Sequence, residues 1–157
     1  YFGESKIAKR DFLYALLVAG VGQRPLGIQA DQVAAAARWC NEQTGAGPVT
    51  IVAEGPRTSL IALAAAALEP KHVFGVQLHD SMASLKEVIE QNMGVHQRPE
   101  QFCFGLLESF DIRDIAALVA PRPVRVCEPG QQHHQELGSL VNLYRRLGQP
   151  FEPLAAE

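Results

Sequence analysis

The chain has 157 residues, of which 47% are hydrophobic and 20% are charged, and its formal net charge is −3. This balance is typical of one globular domain with a full apolar core. The negative net charge gives no basic field for phosphate backbones or anionic lipid, so the sequence predicts neither a nucleic-acid nor a membrane partner. No apolar run reaches the roughly 18 residues needed to cross a bilayer.

The chain starts without Met and without the layout of a secretory signal, so we interpret it as a processed or excised piece and predict no compartment. Its three cysteines, Cys40, Cys103 and Cys127, are widely spaced and lack metal-ligand spacing to any His. They are expected to be buried thiols. The sequence therefore predicts no metal site and no cofactor.

Two helices are predicted before the first strand. Residues 6–18 carry apolar side chains at helical spacing, with Tyr14, Leu16 and Leu17 on the buried stripe. Residues 24–27 predict a turn. A second helix is expected from near Asp31, whose carboxylate is suited to an N-cap, to about residue 42.

The most informative stretch is 49–68. Residues 49–53 are a short β-branched run suited to a buried central strand, 54–57 form a tight turn, and 58–68 are almost wholly apolar, as in a buried helix. In an open parallel sheet, such a turn lies at the carboxyl end of a strand, where ligands bind. A ligand site is therefore expected at this turn.

The rest of the chain repeats the alternation of strand and helix. Strands are predicted at 72–78 and 124–127, helices at 111–119 and around 137–147, a short helix after Ser84, and a final strand at 151–154. This order predicts an α/β protein: a mainly parallel sheet with helices on both faces, in three α/β/α layers.

The order also resembles the C-terminal half of an α/β-hydrolase, in particular the acetyl-xylan-esterase-like and prolyl-oligopeptidase-like hydrolases. The resemblance covers roughly residues 10–150 and is carried by 49–58, by Ala-Ala-Ala-Ala-Leu-Glu-Pro at 64–70, and by 110–124 with its Ala-Pro-Arg-Pro segment. It implies a partial α/β-hydrolase fold in one domain, 1–157, that forms the C-terminal part of a larger hydrolase. It also implies carboxylic ester hydrolysis by a Ser nucleophile.

In that family the nucleophile lies at the centre of a small-x-Ser-x-small turn. Here that centre falls on Gly55 or, counted back from the 67–70 end, on Pro56, and neither carries a hydroxyl. Ser59 is the weak candidate, although Arg57 and Ile61 on either side are bulky for such a turn. Its other interpretation is a first-turn residue whose hydroxyl bonds to helix backbone.

The family's acid follows the strand at 124–127, which makes Glu128 the weak candidate for the acid. The last histidines, His133 and His134, are the weak candidates for the base and are expected in a loop before the last helix. A metal held by them with Glu128 or Glu136 is the alternative to a solvated loop.

Three further residues are candidates for ligand binding. Glu54 and Arg57 lie in the turn, where they are expected either to pair with each other or to leave Arg57 to bind an anionic group near the helix N-terminus. Asp80 is expected in a turn at the ligand-facing end of the sheet.

Two functions remain open, and a third class is disfavoured. The first is an α/β-hydrolase-family domain, resembling acetyl xylan esterases, that is non-catalytic or impaired as it stands. The second is a binding or structural module that completes its sheet with another domain or chain, with a small molecule or carbohydrate as ligand or a second copy as partner. A nucleotide-binding fold is disfavoured because no Gly-x-Gly-x-x-Gly turn follows any strand.

Overall fold

The computed structural model describes residues 10–45, 47–95, 98–103, 105–149 and 153–154. They form a three-stranded parallel sheet and seven α-helices, which confirms the α/β class. In chain order the elements are α1 (Arg10–Gly20), α2 (Pro25–Thr44), β1 (Val49–Glu54), α3 (Pro56–Leu68), β2 (Val73–His79), α4 (Glu87–Glu90), a 3-10 helix (Pro99–Phe102), α5 (Leu106–Ser109), α6 (Ile112–Val119), β3 (Val124–Val126) and α7 (Gln131–Arg146).

The predicted strand, turn and helix at 49–68 are confirmed as β1, a one-residue turn and α3. Gly55 forms the turn with φ 89° and ψ 160°, a backbone region that is essentially restricted to glycine. Pro56 follows at the first helical position, where its fixed φ suits a helix and no N–H is needed. The chain therefore changes from strand to helix within one residue.

The sheet order is β1-β2-β3, so β1 lies at an edge of the described sheet. The sequence predicts a central position for this strand, which the described sheet does not show. Both pairings are parallel, with Ile51 opposite Val76 and Val76 opposite Val124. Because the order runs in one direction, right-handed crossovers place α3 and α6 on the same face. The described residues thus form two layers, and the predicted third layer is not seen among them.

The core lies between this helical layer and the inner face of the sheet. Val73, Val76 and Val124 are almost completely buried, and they belong to one apolar cluster with the small side chains of Ala62 and Ala66 on α3. Small residues at this contact let the helix approach the sheet closely. On the opposite face, the β1 side chains of Thr50, Val52 and Glu54 are exposed.

The Ala-Pro-Arg-Pro segment has a structural role. The Arg122 guanidinium donates hydrogen bonds to the carbonyl oxygens of Ala66 (2.8 Å) and Val73 (3.0 Å), at the end of α3 and the start of β2. The Tyr144 hydroxyl of α7 donates to the Arg122 carbonyl at 2.5 Å. Burial raises the pKa of Tyr144 to about 12, so this hydroxyl stays a donor at neutral pH.

The two N-terminal helices differ from their predictions. The first helix is described from Arg10, and it buries Ala15 and Val18 while Leu16 and Leu17 are exposed, so the expected stripe is wrong. The second begins at Pro25, because a proline at the first helical position starts a helix as readily as it forms a turn. Asp31 lies within this helix and does not cap it.

Other expectations were met in part. Cys127 is buried, and Cys40 and Cys103 are half-buried. Burial raises the pKa of the Cys103 thiol.

Of the expected strand at 151–154, only 153–154 belong to the described residues, and they lie in a turn. No helix in the described part of the chain has both the length and the apolar character to cross a bilayer.

Candidate functional site

The carboxyl ends of the three strands lie side by side at one edge of the sheet, which we call the carboxyl edge. Glu54 pairs in register with His79, and the Gly55 N–H donates to the His79 carbonyl at 2.9 Å. The Cys127 N–H donates to the Leu78 carbonyl at 2.8 Å. Because ligands of open parallel sheets bind at such an edge, the carboxyl edge is the candidate site.

The turn between β1 and α3 carries no nucleophile at its apex. Gly55, one of the two positions expected from the sequence, is the apex, and α3 begins at Pro56, two residues before the predicted start of the helix. The nearest exposed hydroxyl, that of Thr58, donates back to the carbonyl oxygens of Glu54 and, at 3.2 Å, of Gly55. This hydroxyl is therefore engaged with the backbone of the turn.

Ser59 lies inside the first turn of α3 and is only 2% exposed. Its N–H donates to the Gly55 carbonyl at 3.1 Å, but its buried Oγ has no hydrogen-bond partner among the described residues. The expected bond from this hydroxyl to helix backbone is therefore not made. A substrate at the carboxyl edge cannot reach a hydroxyl buried in this way.

Arg57 pairs with a carboxylate that the sequence did not indicate. Its Nε lies 2.8 Å from Oε1 of Glu100, a residue of the 3-10 helix that is 0% exposed. The expected pair between Arg57 and Glu54 is not formed, and the Glu54 side chain is exposed. Glu100 is 43 residues away in a polar segment, so no local pattern identifies it as the partner.

The structure also brings Ser81 and His133 together. The Nε2 atom of His133 lies 3.0 Å from the Ser81 carbonyl oxygen and 3.3 Å from the Ser81 Oγ. Its Nδ1 accepts a hydrogen bond from the Gly130 N–H at 3.3 Å. When Nδ1 is the acceptor, neutral imidazole carries its proton on Nε2, which then donates to Ser81. His133 therefore joins α7 to the turn after β2.

The histidines were predicted in a loop, and this is wrong. His133 and His134 both lie in the first turn of α7, which begins at Gln131. The bond from the Gly130 N–H to the His133 ring caps the helix start, and this contact extends the helix several residues before its apolar stripe. The His134 side chain is exposed.

Glu128 and Asp80 lie at the carboxyl edge, directly after β3 and β2. Both are exposed, and both have positive φ, 53° for Glu128 and 47° for Asp80. No hydrogen bond among the described residues joins Glu128 or Asp80 to Ser59 or His133. Within the described residues, no three His, Cys, Asp or Glu side chains lie close enough together to hold a metal ion.

A groove opens beside the carboxyl edge, between α2 and the outer edge of β1, and we call it the β1 groove. Its volume is about 560 Å³. Its lining is formed by Gln29, Gln32, Val33, Ala36, Ile51, Val52, Ala53, Glu54, Thr58, Ile61 and Ala62. Gln29 is 8% exposed, and its Oε1 has no hydrogen-bond partner among the described residues. No pattern in the sequence predicts this groove.

These features define an α/β protein with a small parallel sheet, a carboxyl edge of turns, and a groove along its first strand. No protein family, curated protein or solved structure matches the chain.

Proposed function

We propose that this chain is an α/β-hydrolase-family domain, resembling acetyl xylan esterases, that does not hydrolyse esters on its own. The order β1, α3, β2, α6, β3, α7 supports the hydrolase part of this proposal, because it places the turn at 54–57 at the carboxyl end of a parallel strand. The observation that carries the inactive part is Gly55 at the apex of that turn.

The chemistry explains why an apex glycine abolishes turnover. Acyl transfer by this class needs a hydroxyl on the apex, a base within hydrogen-bond reach, and an acid that orients the base. Gly55 supplies no hydroxyl, the Ser59 hydroxyl is buried, and the Nε2 of His133 is a donor to Ser81. Glu128 is an exposed carboxylate, and no hydrogen bond among the described residues joins it to an imidazole.

We expect purified protein to hydrolyse p-nitrophenyl acetate no faster than the same buffer without protein. Any background rate should be unchanged in Ser59→Ala and in the matched exposed variant Ser109→Ala, because neither hydroxyl acts as a nucleophile. The release of p-nitrophenol, followed by absorbance, gives the rate. Saturable turnover that disappears only in Ser59→Ala would contradict the proposal.

A second candidate function is favoured by the edge of β1: a binding or structural module whose sheet is completed by another domain or chain. The N–H groups of Val49 and Gly55 both donate to β2, to the carbonyls of His72 and His79. Alternate residues of a parallel strand bond to opposite sides, so the backbone groups of Thr50, Val52 and Glu54 point away from β2. An edge of this kind can accept a further strand.

We expect the amides of β1 to alternate in hydrogen exchange. The N–H groups of Ile51 and Ala53, bonded to β2, should exchange at least about 100-fold more slowly than those of Thr50 and Val52, which face outward. Exchange into D2O followed by two-dimensional NMR of the isolated protein gives each rate. Equal protection at all four positions would show that the edge is already covered and would remove this candidate.

A further inference from the structure

We propose that the β1 groove binds an extended polypeptide segment as a fourth strand of the sheet, with uncharged β-branched side chains toward α2 and a basic residue beside Glu54. This inference rests on the second candidate function and names the chemistry of the partner. Three features of the groove support it: its backbone groups, the surface of α2 beneath them, and its charge.

The backbone of β1 offers the hydrogen bonds that a strand needs. Thr50 and Val52 each present an N–H and a C=O to the groove, and Glu54 presents an N–H. The Glu54 carbonyl accepts from Thr58, which ends the available ladder at the carboxyl edge. Main-chain bonds of this kind supply most of the affinity when a peptide adds to a sheet edge.

Helix α2 provides a surface beneath the missing strand. It packs against α3 in the helical layer, and the groove lies above it, along β1. Val33 and Ala36 present small apolar side chains to this space. Side chains that alternate along the incoming strand would pack on them, so β-branched residues suit the inward positions.

The charge of the groove limits what the partner carries. Among the described residues that line the groove, Glu54 is the only one with a charge, and it lies at the carboxyl end of β1. A lysine or arginine at that end of the segment complements it, and acidic residues do not. A second copy of this chain is a poorer occupant. If β1 of one copy paired with β1 of another around a two-fold axis, α2 of one copy would overlap the position of α3 in the other.

The test uses a fluorescein-labelled hexapeptide of alternating threonine and valine with one lysine near its carboxyl end, and its fluorescence anisotropy on titration with the full chain. We expect saturable binding. Methylation of the peptide's alternate amide nitrogens, which removes strand donors and leaves the side chains, should weaken binding at least about 10-fold (1.4 kcal/mol).

One protein variant tests the same contacts. Val52→Pro removes an outward N–H and leaves the bonds to β2, so the fold should persist while the affinity falls at least about 10-fold. Ile89→Ala, at an exposed site on α4 that does not line the groove, is the matched control and should bind like the wild type.

Each contrary result has its own meaning. If the β1 amides alternate in exchange but the peptide does not bind, or binds equally well when methylated, this inference is overturned and the open edge stands. If the amides are uniformly protected, the second candidate function itself fails. A concentration-dependent dimer in light scattering that Val52→Pro abolishes would assign the edge to a second copy and overturn the inference.

Discussion

Arg57→Met is expected to lower the free energy of unfolding by about 3–5 kcal/mol, because it leaves a buried carboxylate without its cation. Glu100 is 0% exposed, and Arg57 Nε lies 2.8 Å from its Oε1. Methionine keeps much of the length of arginine and removes the charge. Urea denaturation followed by circular dichroism at neutral pH measures the loss.

The complementary variant gives the control. Glu100→Gln removes the charge opposite Arg57, but the arginine side chain is 37% exposed and can turn to water, so the loss should be smaller, about 1–2 kcal/mol. In the double variant Arg57→Met, Glu100→Leu, an apolar pair replaces the charges and should recover most of the stability. If the two single variants lose the same free energy of unfolding, burial of Glu100 does not determine the cost of breaking the pair.

Gly75→Ala is expected to destabilise the fold by about 3 kcal/mol or more, because β2 and the Ala-Pro-Arg-Pro segment leave no space for a methyl group. A Cβ at this position would lie 2.7 Å from the carbonyl oxygen and 2.8 Å from the Cγ of Pro123. That carbonyl accepts the N–H of Val76 at 2.9 Å, so it cannot move without loss of a bond between β2 and β3. Thermal and urea denaturation measure the effect.

Gly138→Ala is the matched control for this prediction. Gly138 lies inside α7, and beyond its chain neighbours and the adjacent helix backbone no atom of the described residues is within 4 Å of a Cβ built there. Alanine should therefore raise the stability by about 0.5–1 kcal/mol, since it restricts the unfolded chain and favours a helix. If Gly75→Ala leaves the free energy of unfolding unchanged while Gly138→Ala raises it, the segment around Pro123 moves at little cost and the prediction is wrong.

The sequence predicted the elements whose patterns are local. The β-branched run of β1 and the apolar α3 were recognisable from their residues, and so was α6, whose N-cap Asp111 forms a capping box with Asp114. The position of the turn at the carboxyl end of β1 followed from the same patterns. For that reason the absence of a hydroxyl from the apex, at Gly55, could be read from the sequence.

The features that were missed depend on residues far apart in the chain. The partner of Arg57, the contact of Ser81 with His133 and the orphan amide of Gln29 each join or face separate elements. The exposure of Leu17 likewise depends on what packs on α1, which periodicity within the helix does not show. The edge position of β1 was missed because a buried strand and an edge strand with one covered face have similar composition.

The conformation of Gly55 has an evolutionary consequence under the proposed ancestry. Its φ of 89° and ψ of 160° belong to a region where any side chain adds roughly 1–3 kcal/mol of strain. One mutation to serine would therefore restore the oxygen but not an unstrained backbone, and it would still lack an imidazole poised to remove the proton. Each single mutation toward catalysis is therefore neutral or harmful by itself, so selection does not readily restore the lost activity.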